Sequence, residues 1–124
     1  MERLTHLTQF PARCARSFTC AFRGLFFLVA TQRCARIHAL ATVAVIILGI
    51  ITGLSRVEWC LIIFACAAVW SAEALNTAVE FLGDSVTREH HPLIGKAKDI
   101  AAGAVLVAAI AAVIVGALVF SAHL

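Results

Sequence analysis

The sequence predicts an all-α membrane protein, with three transmembrane helices preceded by an amphipathic helix on the membrane surface. Three observations carry that prediction. Hydrophobic residues make up 62% of the 124 and charged residues 14%, against about 45–50% and roughly 25% in soluble domains. Mean hydropathy is +0.97. Three long apolar runs alternate with short polar segments, and six of the ten Lys+Arg precede the first run. A soluble core of this size cannot hide so much apolar surface, and disordered chains have the opposite composition. One membrane-embedded domain over residues 1–124 is the expected organisation.

The surface helix is read over residues 12–30, after Pro11. Phe18, Cys20, Phe22, Leu25, Phe26 and Val29 mark an apolar side, while Arg16 and Arg23 stand one heptad apart. The first span follows over residues 37–54, in IHALATVAVIILGIITGL. Ser55, Arg56 and Glu58 read as a very short connection, with Gly53 loosening the helix end. The second span covers residues 59–82 and opens on Trp59, an interfacial aromatic. A polar loop, GDSVTREHHPLIGK, carries Gly83, Pro92 and Gly95 as punctuation. The third span covers residues 98–120 and has no charge after Asp99. Ala104, Ala108, Ala112 and Gly116 recur in it every four residues, a stripe suited to close helix approach and self-association.

Charge sets the orientation. Arginines crowd the N-terminal side, and Arg88, Lys96 and Lys98 flank the second loop, whereas only Arg56 lies in the first loop. The positive-inside rule then puts the N-terminus in the cytoplasm and the C-terminus outside. Beside a membrane span, the arginine cluster reads as a lipid-headgroup anchor, and no nucleic acid is expected as a partner. Cys14, Cys20, Cys34, Cys60 and Cys66 are odd in number and form no C-x-x-C pair, so neither a disulfide framework nor a zinc site is expected. About 36 residues pass before the first long apolar run, more than the roughly 15–30 of a whole cleavable signal, so none is expected.

The stretch EALNTAVEFLGD carries the chemistry. Glu73, Asn76, Glu80 and Asp84 are spaced by three, four and four residues, which places them within roughly 80° of one another on a helix. Asp84 and Glu80 alone could be solvated residues at a helix end. Glu73 follows CLIIFACAAVWSA, and a carboxylate at that depth is a functional hypothesis by default. Across the loop, Lys98 and Asp99 open the third span at the same surface; alone they would read as an anchor and a helix-start acid. Beside the acidic stripe, a lysine and several carboxylates are what phosphoryl transfer requires. Carboxylates hold Mg²⁺, cations screen the phosphates, and a further carboxylate takes the hydroxyl proton. No Walker loop, G-x-G-x-x-G, G-x-S-x-G or H-E-x-x-H motif accompanies them. His90 and His91 read as loop residues.

At these residues the chain resembles the small bacterial integral-membrane lipid kinases, the family of prokaryotic diacylglycerol kinase and undecaprenol kinase. The family signature is like E-x-x-N-[ST]-[AS]-[ILV]-E with an aspartate four residues on; it stands here as Glu73, Asn76, Thr77, Ala78, Val79, Glu80 and Asp84. A second block, like A-K-D-x-x-[AS]-[AG]-A-V-L, runs from Ala97-Lys98-Asp99 to Leu106. A weaker one, like S-F-x-x-A-x-x-G-L, matches Ser17, Phe18, Ala21, Gly24 and Leu25. The resemblance implies a homotrimer with active sites shared between subunits, and ATP with Mg²⁺. It implies Glu73 as general base and Glu80 as metal ligand. Asn76, Asp84, Lys98 and Asp99 would complete the cofactor site, with Arg13 as a further nucleotide contact. One departure stands out. Where the family has a second metal-ligating glutamate, in E-x-N-x-[KR]-I-H, this chain has Gln32, and Cys34 replaces the asparagine. A glutamine carbonyl coordinates Mg²⁺ without the charge.

The expected activity is phosphorylation of a membrane lipid alcohol, with diacylglycerol as first candidate acceptor and undecaprenol as second. Two readings of other classes compete. A proton-coupled transporter would use Glu73 alone, and a non-catalytic oligomeric membrane protein would use only the alanine stripe. Neither employs Asn76, Glu80, Lys98 and Asp99.

Overall fold

The computed structural model of the chain describes the backbone of residues 2–124 and the side chains of residues 10–124. The described residues form four helices: α1 (Glu2–Thr31), α2 (Arg33–Thr52), α3 (Arg56–Val86) and α4 (Pro92–Ser121). All four are long and apolar enough to cross a membrane by length and composition, α1 over Phe10–Thr31. Their order agrees with the reading from sequence; their ends do not.

Helix α1 continues through Pro11 instead of beginning after it. Proline removes one backbone donor, which a helix of this length tolerates. A single residue, Gln32, separates α1 from α2; its extended backbone (φ −99°, ψ 125°) breaks the helical path. At the far end of α2, Gly53 adopts the left-handed conformation (φ 71°, ψ 52°), and its N–H closes on the Gly49 carbonyl at 3.1 Å. Glycine enters that conformation without a Cβ clash.

The short connection of Ser55, Arg56 and Glu58 is in fact a helix start. The Ser55 hydroxyl accepts from the Glu58 N–H at 3.3 Å, and the Glu58 carboxylate accepts from the Ser55 N–H at 2.7 Å. This reciprocal box satisfies donors that a helix leaves unpaired at its N-terminus. Helix α3 therefore begins three residues before Trp59 and ends at Val86 rather than Leu82. Most of the expected polar loop is helical too. The true turn is residues 87–91, and Pro92 occupies the first turn of α4, where its missing N–H is not needed. Outside hydrocarbon a helix needs no apolar side chains, because water solvates them while the backbone ladder continues.

Helices α3 and α4 form an antiparallel hairpin. Asp84 meets Lys98 beside the turn, and Glu58 meets His123 at the opposite end. Near the turn the helices are close: a Cβ on Gly83 would lie 2.9 Å from Ile94 Cγ2 and 3.0 Å from Lys98 Cε. At the other end Leu54, Ile62 and Val119 form a small buried cluster that Trp59 and Cys66 flank. Helix α2 joins the hairpin through Trp70 Nε1–H, which donates to Thr42 Oγ1 at 3.0 Å. Helix α1 meets α3 where the Phe27 and Phe81 rings lie 5.8 Å apart at 56°. Phe22, Phe26, Leu40, Ile51, Phe64, Ile100 and Val113 are among many large apolar side chains left exposed, as a membrane or further subunits require of a chain this apolar. All five cysteines are free thiols. Of the small-residue stripe, Ala108, Ala112 and Gly116 are half-buried and Ala104 is exposed.

Candidate active site

Helical periodicity builds the site along α3. Ile62, Val69, Glu73 and Thr77 are its buried residues, so the seam is apolar as far as Val69 and turns polar at Glu73 and Thr77. Glu73 is 4% exposed. Its carboxylate Oε2 lies 3.8 Å from Nε2 of His38 on α2. One turn on, Asn76 Nδ2 donates to Glu80 Oε1 at 3.3 Å. Asn76 Oδ1 is buried and has no hydrogen-bond partner. One further turn on, Asp84 Oδ1 accepts from Lys98 Nζ at 2.5 Å; the Asp84 side chain is 61% exposed and that of Lys98 34%. The stripe thus runs from a buried acid to a solvated ion pair.

Glu73, Asn76, Glu80, Asp84 and Lys98 are brought into one row. Gln32 and Asp99 are not tied to it. Gln32 sits in the α1–α2 joint and donates from Nε2 to Thr31 Oγ1 at 3.2 Å. Asp99 is exposed on α4, one residue past Lys98. Among the described residues, no hydrogen bond or ion pair connects Gln32 or Asp99 to the stripe. Arg13 lies on α1, roughly 27 Å along the helix axis from Thr31. No three His, Cys, Asp or Glu side chains among the described residues converge as a metal cage.

Asn76 bears on whether a divalent cation fits here. An amide oxygen buried without a partner is costly; turned over, the amide would set that oxygen beside the Glu80 carboxylate to which its nitrogen now donates, giving a pair of hard oxygen donors. Those two residues suit Mg²⁺. Two grooves border the row. An apolar one of about 460 Å³ lies between α1 and α3, lined by Gly24, Phe27, Leu28, Ala74, Thr77 and Phe81 among others. A polar one of about 330 Å³ lies at the hairpin turn, lined by Asp84, Arg88, His90, His91 and Lys98 among others.

Reasoning from sequence missed His38 as a neighbour of Glu73. The signal was present, since a histidine inside an apolar span invites the same suspicion as a glutamate there. His90 and His91 are loop residues, as the sequence suggests, and together with Arg88 they share a groove with Asp84 and Lys98. His91 moreover caps α4, its Nδ1 accepting from the Leu93 N–H at 3.3 Å.

A membrane-embedded helical protein with a carboxylate row reaching from apolar depth to a solvated lysine is the class that fold and site define. A sequence model of prokaryotic diacylglycerol kinase matches residues 19–120. The undecaprenol kinase of Bacillus subtilis (strain 168) is 44% identical over 105 residues, covering 85% of each chain. A diacylglycerol kinase of Synechocystis sp. is 45% identical over 101 residues, 81% of this chain and 58% of that one. The diacylglycerol kinase of Escherichia coli (strain K12) is 28% identical over 103 residues, covering 83% and 84%. The chain belongs to the prokaryotic diacylglycerol kinase family. It is a membrane-bound lipid kinase with ATP as a substrate.

Proposed function

We propose that this kinase transfers the γ-phosphoryl group of ATP to the hydroxyl of a membrane lipid alcohol, with Glu73 as the proton acceptor. The observation that carries this reading is the 4% exposure of Glu73 at the head of a row that ends on the solvated Asp84–Lys98 pair. The two reactants come from opposite sides: a lipid from hydrocarbon and a nucleotide from water. The lipid oxygen attacks the γ-phosphorus as its proton passes to Glu73; the bond to the β–γ bridging oxygen breaks and ADP leaves. Lys98, held by Asp84, supplies positive charge for the phosphates, and Asp99 and Arg13 add contacts to the nucleotide. Glu80, the partnerless Asn76 oxygen and Gln32 would hold Mg²⁺, which supplies charge neutralisation on the phosphates. The polar groove at the hairpin turn suits the nucleotide, and the apolar groove beside Thr77 suits a lipid chain.

Diacylglycerol and undecaprenol share the chemistry that this row reads, a hydroxyl on an apolar body. Likeness over 85% of both chains to an undecaprenol kinase raises undecaprenol to equal standing with diacylglycerol. Purified protein in detergent micelles, given labelled ATP and each lipid in turn, tests the proposal. Label should pass to at least one lipid, and faster transfer to one identifies the acceptor. No transfer to either would overturn it.

The active unit is a homotrimer with shared sites. Its support is the scarcity of buried apolar residues in one chain, Leu28, Ala35, Leu54, Ile62, Val69 and Val119, together with the failure of Gln32 to reach the row. Helix α1 lies on the cytoplasmic face of the inner membrane, because Arg13, Arg16 and Arg23 within it are exposed and would be costly in hydrocarbon. The C-terminus then lies outside. A reporter fused after Leu124 should be active only outside the cytoplasm, and cytoplasmic activity would break this topology.

A further inference from the structure

Glu73 does not stand alone at its depth. The imidazole of His38 is 21% exposed and the Glu73 side chain 6%, and the two approach to 3.8 Å. A second polar connection crosses the same interface one turn away. Thr42 Oγ1 donates to the His38 carbonyl at 2.7 Å and accepts from Trp70 Nε1–H at 3.0 Å. His38 and Thr42 are four apart on α2, and Trp70 and Glu73 three apart on α3, so adjacent turns of one face on each helix meet. The Trp70–Thr42 bond fixes the register of α2 against α3, and that register delivers the imidazole to the carboxylate.

A carboxylate in apolar surroundings needs a donor, and an imidazole N–H is one whose tautomer the partner selects. We propose that His38 is a positioning residue for the phosphoryl transfer: its Nε2–H holds Oε2 of Glu73, leaving Oε1 to take the lipid hydroxyl proton. The logic is that of a base oriented by a third group. The separation exceeds a hydrogen bond, and such contacts tighten when substrate binds. The proposal rests on Glu73 being the proton acceptor, and its test separates the two ideas.

Turnover and KM for ATP and lipid would be measured for His38→Leu, His38→Gln, Glu73→Gln and the double variant His38→Leu/Glu73→Gln, with assembly followed by size-exclusion chromatography. Loss of orientation should lower kcat of His38→Leu roughly 10–100-fold with both KM values near those of the parent. His38→Gln keeps an N–H donor and should recover most of the turnover. In the Glu73→Gln background, His38→Leu should add no further loss. A parent-like kcat for His38→Leu beside a crippled Glu73→Gln overturns the proposal and spares the base. An equal fractional loss in both backgrounds overturns it too, since His38 would then act independently. Near-normal turnover of Glu73→Gln removes the base and the positioning role together. Should His38→Leu fail to assemble, His38→Asn decides: its shorter amide should lose turnover relative to His38→Gln, and equal turnover overturns the proposal.

Discussion

The two ends of the α3–α4 hairpin are closed by the same kind of contact, an acid on α3 with a base on α4 (Lys98) or two residues past its end (His123), yet they differ in what remains unused. At the far end Glu58 is saturated: Oε2 takes the Ser55 N–H at 2.7 Å, and Oε1 meets His123 Nε2 at 2.9 Å. At the turn, Asp84 is 61% exposed and receives Lys98 on one oxygen, and two turns away Asn76 keeps a buried oxygen without a partner. A saturated polar cluster fixes structure. An unsaturated one has capacity for something not in the chain. With the proposed roles, chemistry and stability are segregated along one hairpin.

That segregation can be broken from either end. The largest effect is expected at the buried head of the row. Glu73→Gln preserves size and hydrogen-bonding reach but cannot accept the proton, so turnover should fall roughly 10²-fold or more while the protein still assembles. Near-normal turnover would assign this carboxylate a structural role. Next comes Lys98→Met, which removes the charge proposed to meet the phosphates. KM for ATP should rise about tenfold or more, and KM for lipid should stay put. Steady-state titration of each substrate reads the difference; parallel changes in both would contradict the assignment.

A smaller effect is expected where the chain departs from its family. Gln32→Glu restores a charged oxygen donor, and the magnesium concentration for half-maximal activity should fall several-fold. An unchanged requirement places Gln32 outside the cation's surroundings. The smallest effect sharpens the comparison from the other end. Ser55→Ala breaks the capping box and should lower stability by about 1 kcal/mol with turnover unchanged. Thermal unfolding in micelles reads the first part and the lipid assay the second. A turnover loss there would mean that the far end communicates with the row.

Much of this was legible in the sequence because membrane helices declare themselves locally. Apolar run length gave the order of helices, and the three-four-four spacing gave the row from Glu73 to Asp84. The ends of helices were harder, for particular reasons. Ser55 and Glu58 spell a capping box that was readable, but their polarity suggested a loop. Residues 83–86 and 92–97 are helix interrupted by glycine, proline and charge, a pattern that reads as a loop although the backbone ladder continues through it. The pairing of His38 with Glu73 depends on the register between α2 and α3, which Trp70 and Thr42 set across 28 positions of chain. No local pattern contains it. Gln32 and Asp99 illustrate the converse: motif resemblance nominated them, while a single folded chain leaves them apart from the row.

Gly83 has a consequence for how the lysine works. With no side chain there, the aliphatic stem of Lys98 lies across bare α3 backbone, its Cε 3.0 Å from where a Cβ would be. The ammonium is thus guided as on a rail, its lateral position set by the width of a missing methyl group and its reach by four methylenes. Arginine at the same place would keep the charge, yet its rigid planar fork is wider than an ammonium on a slim stem. Charge alone is then an insufficient specification of position 98: the backbone at position 83 selects lysine by shape.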